Sequence, residues 1–155
     1  MELPAEGGCL CGEVRYRLLR PPLLVYACHC TRCRRLTGTA FAMATIMETV
    51  ALEQVSGEPK LLAKDWPDGT QWCIRFCDRC GGQLWSEPPY APDVRVLRPG
   101  TLDEHSGLIP DAHQWLSSAL PWLQIPAGAR SFDEQLTNEQ IIELIQARQA
   151  RGDEA

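Results

Sequence analysis

Apolar and polar side chains alternate along much of the chain between residues 13 and 97, and this pattern predicts short β-strands. Residues 13–18 read Glu-Val-Arg-Tyr-Arg-Leu, the pattern of a strand with one buried face. Prolines and glycines in turns such as Gly57-Glu58-Pro59 separate the apolar segments. The fold class is therefore predicted to be mainly β. Further strands are predicted at residues 23–27, 41–47, 49–55, 60–63, 71–76, 83–86 and 94–97.

The last part of the chain follows a helical pattern instead. Thr137 and Gln140 have the spacing of a capping box, in which each side chain bonds the backbone amide of the other residue. Apolar residues at positions 141, 142, 144, 145 and 147 form a stripe along one face, and Gly152 suits the helix end. We predict one short C-terminal helix over residues 138–151. Residues 1–136 are assigned to one domain, on which the helix and tail at 137–155 pack.

The length and composition are those of an ordinary globular domain. The chain has 155 residues, of which 45% are hydrophobic and 23% charged, so a disordered or fibrous protein is excluded. No apolar run reaches the roughly 18 residues that would span a bilayer. The opening Met-Glu-Leu-Pro-Ala-Glu is acidic, unlike a signal peptide. We therefore expect a cytoplasmic protein with no membrane partner.

The charge balance argues against nucleic acid as a partner. Fifteen basic and twenty acidic residues give a net charge of -5, and the pI is near 5.2. A chain that binds a phosphate backbone by electrostatic attraction usually has a pI above about 9. We expect no nucleic-acid partner.

The cysteines are the most informative residues in the sequence. In a reducing compartment, eight thiols without an export signal are typical of metal binding rather than of disulfides. In a C-x-x-C segment, both sulfurs can reach one metal ion at about 2.3 Å. Seven of the eight cysteines fall into three groups: Cys9-Leu-Cys11, Cys28-His-Cys30-Thr-Arg-Cys33 and Cys77-Asp-Arg-Cys80.

Seven clustered thiolates divide naturally into four and three. A structural zinc is closed by four ligands, whereas a catalytic zinc keeps three protein ligands and one open position. The group at residues 28–33 supplies three sulfurs by itself, and the two other groups together supply four. The sequence thus predicts two zinc ions per chain. An alternative four-sulfur site, built from Cys28/Cys30 or Cys30/Cys33 with Cys77/Cys80, remains open at this point, as does a redox role for the C-x-x-C pair.

Three other residues that could take part in metal or redox chemistry have more ordinary interpretations. Cys73 lies in a predicted strand four positions before Cys77 and is interpreted as a core thiol. In an extended Cys-x-Cys segment the ring of His29 points away from the sulfurs, which favours a packing role over metal ligation. His113 is expected to have a generic polar role.

A zinc ion held by three thiolates has a distinctive chemistry. Each sulfur donates charge, so the ion ionises water poorly, and its natural additional ligand is a soft thiol. A substrate thiol bound there is held as thiolate below its free pKa of about 8.5 and becomes a nucleophile. The predicted three-cysteine site therefore points to sulfur chemistry.

These motifs resemble the family of glutathione-dependent formaldehyde-activating enzymes. The resemblance spans about residues 7–122, and the order of the three cysteine groups is highly specific. It rests on Gly8-Cys-Leu-Cys-Gly12 with Val14-Arg-Tyr16, on Cys28-His-Cys-Thr-Arg-Cys-Arg-Arg with Thr37-Gly-Thr-Ala-Phe41, on Phe76-Cys-Asp-Arg-Cys-Gly81, on Gly100-Thr-Leu-Asp103 and on His113-Gln-Trp-Leu-Ser-Ser-Ala-Leu-Pro-Trp122.

The resemblance implies a fold, a metal content and a reaction. The fold is Mss4-like, with zinc-stapled β-sheets, and residues 1–136 form a zinc-binding domain of the formaldehyde-activating type. The implied reaction joins glutathione, or another small thiol, to formaldehyde and is classed as that of a carbon–sulfur lyase. The thiol binds at the open zinc, and its sulfur attacks the aldehyde carbon. The implied ligands are Cys9, Cys11, Cys77 and Cys80 for a structural zinc, and Cys28, Cys30 and Cys33 for a labile, catalytic zinc.

Two other functions compete with this one. The first is a zinc-stabilised binding or scaffold module without turnover, in which a further protein ligand closes the three-cysteine site. The second is a thiol-based metal buffer or redox sensor that uses Cys73 near Cys77 and Cys80. A fourth ligand at the three-cysteine site favours the module, and a disulfide at Cys73 favours the sensor.

Overall fold

The computed structural model describes residues 1–66 and 69–152, and strands account for most of its regular structure. The predicted mainly β class is confirmed. The α-helices in the described residues are α1 (Thr31–Thr37) and α2 (Asn138–Gly152). The strands are β1 (Ala5–Gly8), β2 (Arg15–Leu18), β3 (Leu24–Cys28), β4 (Ala42–Glu48), β5 (Leu52–Ser56), β6 (Lys60–Asp65), β7 (Gln71–Phe76), β8 (Gln83–Glu87), β9 (Val94–Leu97), β10 (Ala112–Gln114) and β11 (Arg130–Ser131).

The chain divides into two compact units, of which the first comprises residues 1–22 and 45–108. Within it, β1, β2 and β5 form an antiparallel sheet. A second antiparallel series runs from the end of β4 through β9, β8 and β7 to β6. The ring of Tyr16 on β2 is completely buried and meets Trp85 on β8 edge to face at 6.1 Å, and its hydroxyl bonds Thr101 at 2.7 Å. This contact makes Tyr16 a central core residue of the unit.

The second unit comprises residues 23–44 and 109–155. Here β11, β10 and β3 lie side by side and are parallel. Helix α1 ends at Thr37 and is capped by Gly38, which adopts a φ of 67° that favours glycine. Helix α2 begins with the predicted capping box: the Gln140 amide donates to the Thr137 hydroxyl at 3.3 Å, and the Thr137 amide donates to the Gln140 side chain at 2.9 Å. Residues 153–155 of the predicted tail lie outside the described residues.

The structure corrects several of the predicted elements. The segment predicted as one strand at 49–55 begins with a 3-10 turn at Thr49–Ala51. Strands β1, β10 and β11 and helix α1 were not predicted, because β1 contains two glycines and the others are only two to seven residues long. No helix of the described chain is both long and apolar enough to cross a bilayer. The assignment of 1–136 and 137–155 to a single packed domain stays a prediction.

One buried carboxylate ties α2 to β3. The side chain of Asp111 is only 4% exposed and accepts hydrogen bonds from the Val25 amide and from Arg148, each at 2.9 Å. Arg151 also donates to it. The carboxylate thus accepts hydrogen bonds from one backbone amide and two guanidinium groups, and the positive charges of the two arginines compensate its negative charge.

We expect Asp111→Asn to lower the free energy of unfolding by about 2–3 kcal/mol, because the two arginines of α2 lose their charged acceptor. Urea denaturation followed by circular dichroism measures the change. The matched control is Glu143→Gln on the same helix, whose carboxylate pairs with Arg130 but is 63% exposed; we expect that change to stay within about 0.5 kcal/mol. Equal effects of the two substitutions would contradict the prediction.

Candidate metal centres

Four cysteine sulfurs converge within the first unit. The Sγ atoms of Cys9, Cys11, Cys77 and Cys80 all lie within 4.8 Å of one another. Cys9 and Cys11 are 3.6 Å apart at sulfur, and Cys11 and Cys77 are 3.8 Å apart. Sulfurs at the corners of a tetrahedron around zinc, each about 2.3 Å from the ion, are separated by about 3.8 Å. The donor set and its spacing therefore fit a closed tetrahedral zinc.

Each pair of cysteines is shaped by a tight turn that ends in glycine. The Gly12 amide donates to the Cys9 carbonyl at 3.0 Å, and the Gly81 amide donates to the Cys77 carbonyl at 2.8 Å. Gly12 has a φ of 77° and Gly81 a φ of 73°, a conformation that side chains other than glycine rarely adopt. The two glycines thus let both cysteines of each pair face the same point.

Backbone amides also point at the sulfurs of this cluster. The Val14 amide donates to the Cys9 sulfur at 3.3 Å. At Cys80, hydrogen bonds from the amides of Gly82 and Cys11 lower the pKa of the thiol to about 6. Thiolates are the form of cysteine that binds metal, so these amides prepare the cluster for a cation.

Three further sulfurs converge within the second unit. Cys28 is the last residue of β3, Cys30 is the N-cap of α1, and Cys33 lies in the first turn of that helix. Their Sγ atoms lie within 4.8 Å of one another. The alternative that paired Cys28/Cys30 or Cys30/Cys33 with Cys77/Cys80 is wrong, because the latter two share their cluster with Cys9 and Cys11.

The helix start prepares the three-sulfur cluster to carry negative charge. The Cys33 amide donates to the Cys30 sulfur at 3.3 Å, as the amide of a helix start does to any N-cap acceptor. Hydrogen bonds from the thiols of Cys28 and Cys33 lower the pKa of Cys30 to about 2. The same contacts raise the pKa of Cys28. Negative charge in the cluster is therefore favoured at Cys30, and a bound cation would offset the repulsion between three thiolates.

Among the residues that the structure describes, no histidine, carboxylate or further cysteine joins the three sulfurs as a fourth ligand. A tetrahedral zinc held by these sulfurs would therefore keep one position for a ligand from solution. The chemistry of this donor set fits a soft divalent metal such as zinc.

The ring of His29 pairs with a second histidine that the sequence did not place beside it. His29 is completely buried, and its Nε2 lies 3.1 Å from Nδ1 of His113 on β10. The two rings stack at 5.3 Å, and the ring of Phe41 lies at the same distance from His29. Burial lowers the pKa of both histidines. The lowered pKa favours the neutral form of each ring, in which one of the two facing nitrogens donates and the other accepts.

Cys73 belongs to neither cluster. It is half-exposed on β7, where its neighbours across the strands are Ala63 on β6 and Glu87 on β8. The interpretation as a core thiol is therefore wrong. All eight cysteines are free thiols, so Cys73 forms no disulfide.

A family model and a relative point to the same family, and a solved structure shares the fold. Residues 4–118 match the family described as glutathione-dependent formaldehyde-activating enzymes. A Halomonas elongata protein that carries the provisional name of such an enzyme is 27% identical over 125 residues, which make up 77% of this chain and 80% of that protein. A crystal structure of a Rhodobacter sphaeroides protein shares the fold with a TM-score of 0.51 at 24% identity, over 66% of this chain and 91% of the other.

Proposed function

The chain belongs to the family of glutathione-dependent formaldehyde-activating enzymes, and from this premise we propose that it is a zinc-dependent carbon–sulfur lyase. Its substrates are a small thiol, with glutathione as the first candidate, and an aldehyde such as formaldehyde. The product is the corresponding hemithioacetal, which is S-hydroxymethylglutathione when the substrates are glutathione and formaldehyde. We place the reaction at the three-sulfur cluster and in the cytoplasm.

The single observation that carries this proposal is the difference between the two clusters. One cluster has four sulfur ligands, whereas the cluster of Cys28, Cys30 and Cys33 has three, with no further protein donor among the described residues. A metal site with one free position can take a substrate, and a closed site cannot. The four-sulfur cluster is accordingly proposed as a structural zinc site, and the three-sulfur cluster as a labile, catalytic one.

The chain's own residues hold and orient this centre. Cys28 is fixed by the sheet, and Cys30 and Cys33 are fixed by the start of α1, so the three sulfurs face one point. A zinc ion bound there would supply the positive charge that keeps a substrate thiol ionised next to the aldehyde. In the overall reaction the thiol sulfur forms a bond to the aldehyde carbon, the C=O π electrons move to oxygen, and the thiol proton ends on the new hydroxyl group.

The competing functions find less support. A scaffold module would close the three-sulfur cluster with a protein ligand, yet His29, the nearest candidate in sequence, does not join the three sulfurs among the described residues. A redox sensor based on Cys73 needs a second thiol within reach, and its cross-strand neighbours are an alanine and a glutamate. Both observations favour an enzyme.

The proposed function is tested by two-dimensional exchange NMR on glutathione mixed with formaldehyde. We expect the zinc-loaded chain to speed interconversion of free glutathione and S-hydroxymethylglutathione in proportion to protein concentration. A metal-sensitive dye, added to the same sample, counts zinc ions before and after glutathione is added. S-Methylglutathione, which has no thiol, is the matched control reactant. Two tightly held ions with no acceleration of exchange would defeat the enzyme proposal.

A further inference from the structure

A cavity of about 450 Å³ lies within the first unit, and none of its lining residues belongs to a cysteine cluster. One wall is formed by Arg75, Glu87 and Arg95, which project from β7, β8 and β9. The volume falls in the range of roughly 300–1,000 Å³ that is usual for sites that bind small molecules. The cavity is half open to solvent, and its volume admits a small ligand.

The carboxylate of Glu87 holds both guanidinium groups in place. Its Oε1 atom accepts from Arg75 Nε at 3.0 Å and from Trp85 Nε1 at 3.2 Å, and Oε2 accepts from Arg75 Nη2 at 3.3 Å. Arg95 Nε lies 3.4 Å from the same Oε1 atom. Three hydrogen bonds and one ion pair around one carboxylate hold the two guanidinium groups beside each other and restrict their rotation.

The remaining N–H groups of the two arginines are available for a ligand. Arg95 directs Nη1 at the carbonyls of Val94 and Pro92, at 3.2 and 3.3 Å. In the described part of the chain, no group accepts from Arg75 Nη1 or from Arg95 Nη2. The two side chains are 31% and 21% exposed and both line the cavity, so they are partly shielded from solvent.

The charges select the kind of ligand. Two guanidinium groups against one carboxylate leave the inner cluster with a net positive charge of about one. Guanidinium forks match the geometry of a carboxylate, which they bind with paired hydrogen bonds. Leu52, Pro59 and the indole of Trp85 also line the cavity and offer apolar contact beside the charge. Glu58, which is exposed and also lines the cavity, brings the formal charge of the whole lining to zero and disfavours a second negative charge on the ligand.

From this arrangement we infer that the cavity is a binding site for a small organic monocarboxylate, separate from the metal centres. The carboxylate is bound by the free N–H groups of Arg75 and Arg95, and the body of the ligand contacts Leu52, Pro59 and Trp85. The inference does not depend on the reaction proposed for the three-sulfur cluster.

The test uses benzoate as the probe and benzamide, which has the same shape without the charge, as its control. Both are titrated into the zinc-loaded, nitrogen-15-labelled full chain, and the indole N–H signal of Trp85 is followed by NMR. We expect a saturable shift with benzoate and none with benzamide at the same concentration. Equal responses to both compounds, or no response to benzoate, would overturn the inference, and this comparison needs no variant.

Variants then locate the site. We expect Arg95→Gln to weaken benzoate binding at least about tenfold, because a charged donor pair is lost. The matched control is Arg20→Gln in the same unit, whose guanidinium pairs with Glu48 and is 59% exposed; binding should not change. Cys30→Ser should also leave benzoate affinity unchanged, since no cysteine lines the cavity. Loss of binding in Cys30→Ser, or unchanged binding in a folded Arg95→Gln, would place benzoate elsewhere.

Discussion

Cys30→Ser is expected to slow the protein-dependent exchange of glutathione with formaldehyde at least about 100-fold while the chain stays folded. The substitution separates two roles of one side chain. Serine is among the preferred N-cap residues, so its hydroxyl can replace the sulfur as acceptor of the Cys33 amide and helix α1 keeps its start. A hydroxyl is a poor ligand for zinc, so the three-sulfur cluster is reduced to two donors.

The measurement combines exchange NMR with zinc counting. We expect bound zinc to fall from two ions per chain to one, with the far-ultraviolet circular dichroism spectrum unchanged. Cys73→Ser is the matched control, because it removes a half-exposed thiol that belongs to neither cluster. It should retain both ions and full exchange. If Cys30→Ser kept the wild-type exchange rate, the reaction would not occur at this cluster, whatever its metal content.

The grouping of the cysteines could be predicted from the sequence because metal ligation imposes short spacings. Two sulfurs separated by one or two residues can face one ion without help from the rest of the fold. The division into four and three followed from zinc coordination numbers, and the structure places the sulfurs in those two sets. Spacing alone does not fix which pairs meet across 66 residues, because a local motif carries no information about its distant partner.

Contacts that depend on distant segments could not be predicted in this way. His29 and His113 are 84 residues apart and become neighbours because β10 lies parallel to β3. Strand β1 was missed because glycine weakens any strand signal. Gly7 is nevertheless suited to its position, since a Cβ atom there would lie 2.5 Å from the phenol ring of Tyr16. Such reasons exist only in the folded chain.

Helix α1 begins inside the three-cysteine motif, and its start lacks the usual sequence signal of a helix N-terminus. The N-cap is a cysteine, which accepts the Cys33 amide through sulfur instead of through the usual oxygen. The segment is seven residues long and has no buried residue, so no apolar stripe marks it. The cysteines that carry the proposed chemistry therefore also start the helix, and capping rules written for serine, threonine and aspartate do not detect it.

Cys77→Ser is expected to prevent the chain from folding at neutral pH, which makes its effect on stability the largest of the predicted changes. Cys77 is completely buried at the end of β7, where the cluster joins residues 9–11 to residues 77–80. A structural zinc contributes roughly 10–16 kcal/mol of apparent binding free energy to folding. The whole free energy of unfolding of a domain is about 5–15 kcal/mol, so loss of this site exceeds what the remaining core can offset.

Chelator titration of the wild-type chain tests, without a substitution, whether the zinc at the four-sulfur cluster is needed for folding. Zinc at the three-sulfur cluster should leave first, because that cluster has one ligand fewer, and its release should not change the circular dichroism spectrum. Release of the second ion should coincide with loss of the β-sheet signal. Cys30→Ser supplies the control, since it should show only the second step. A chain stripped of both ions that retained its spectrum would show that the four sulfurs do not hold this fold together.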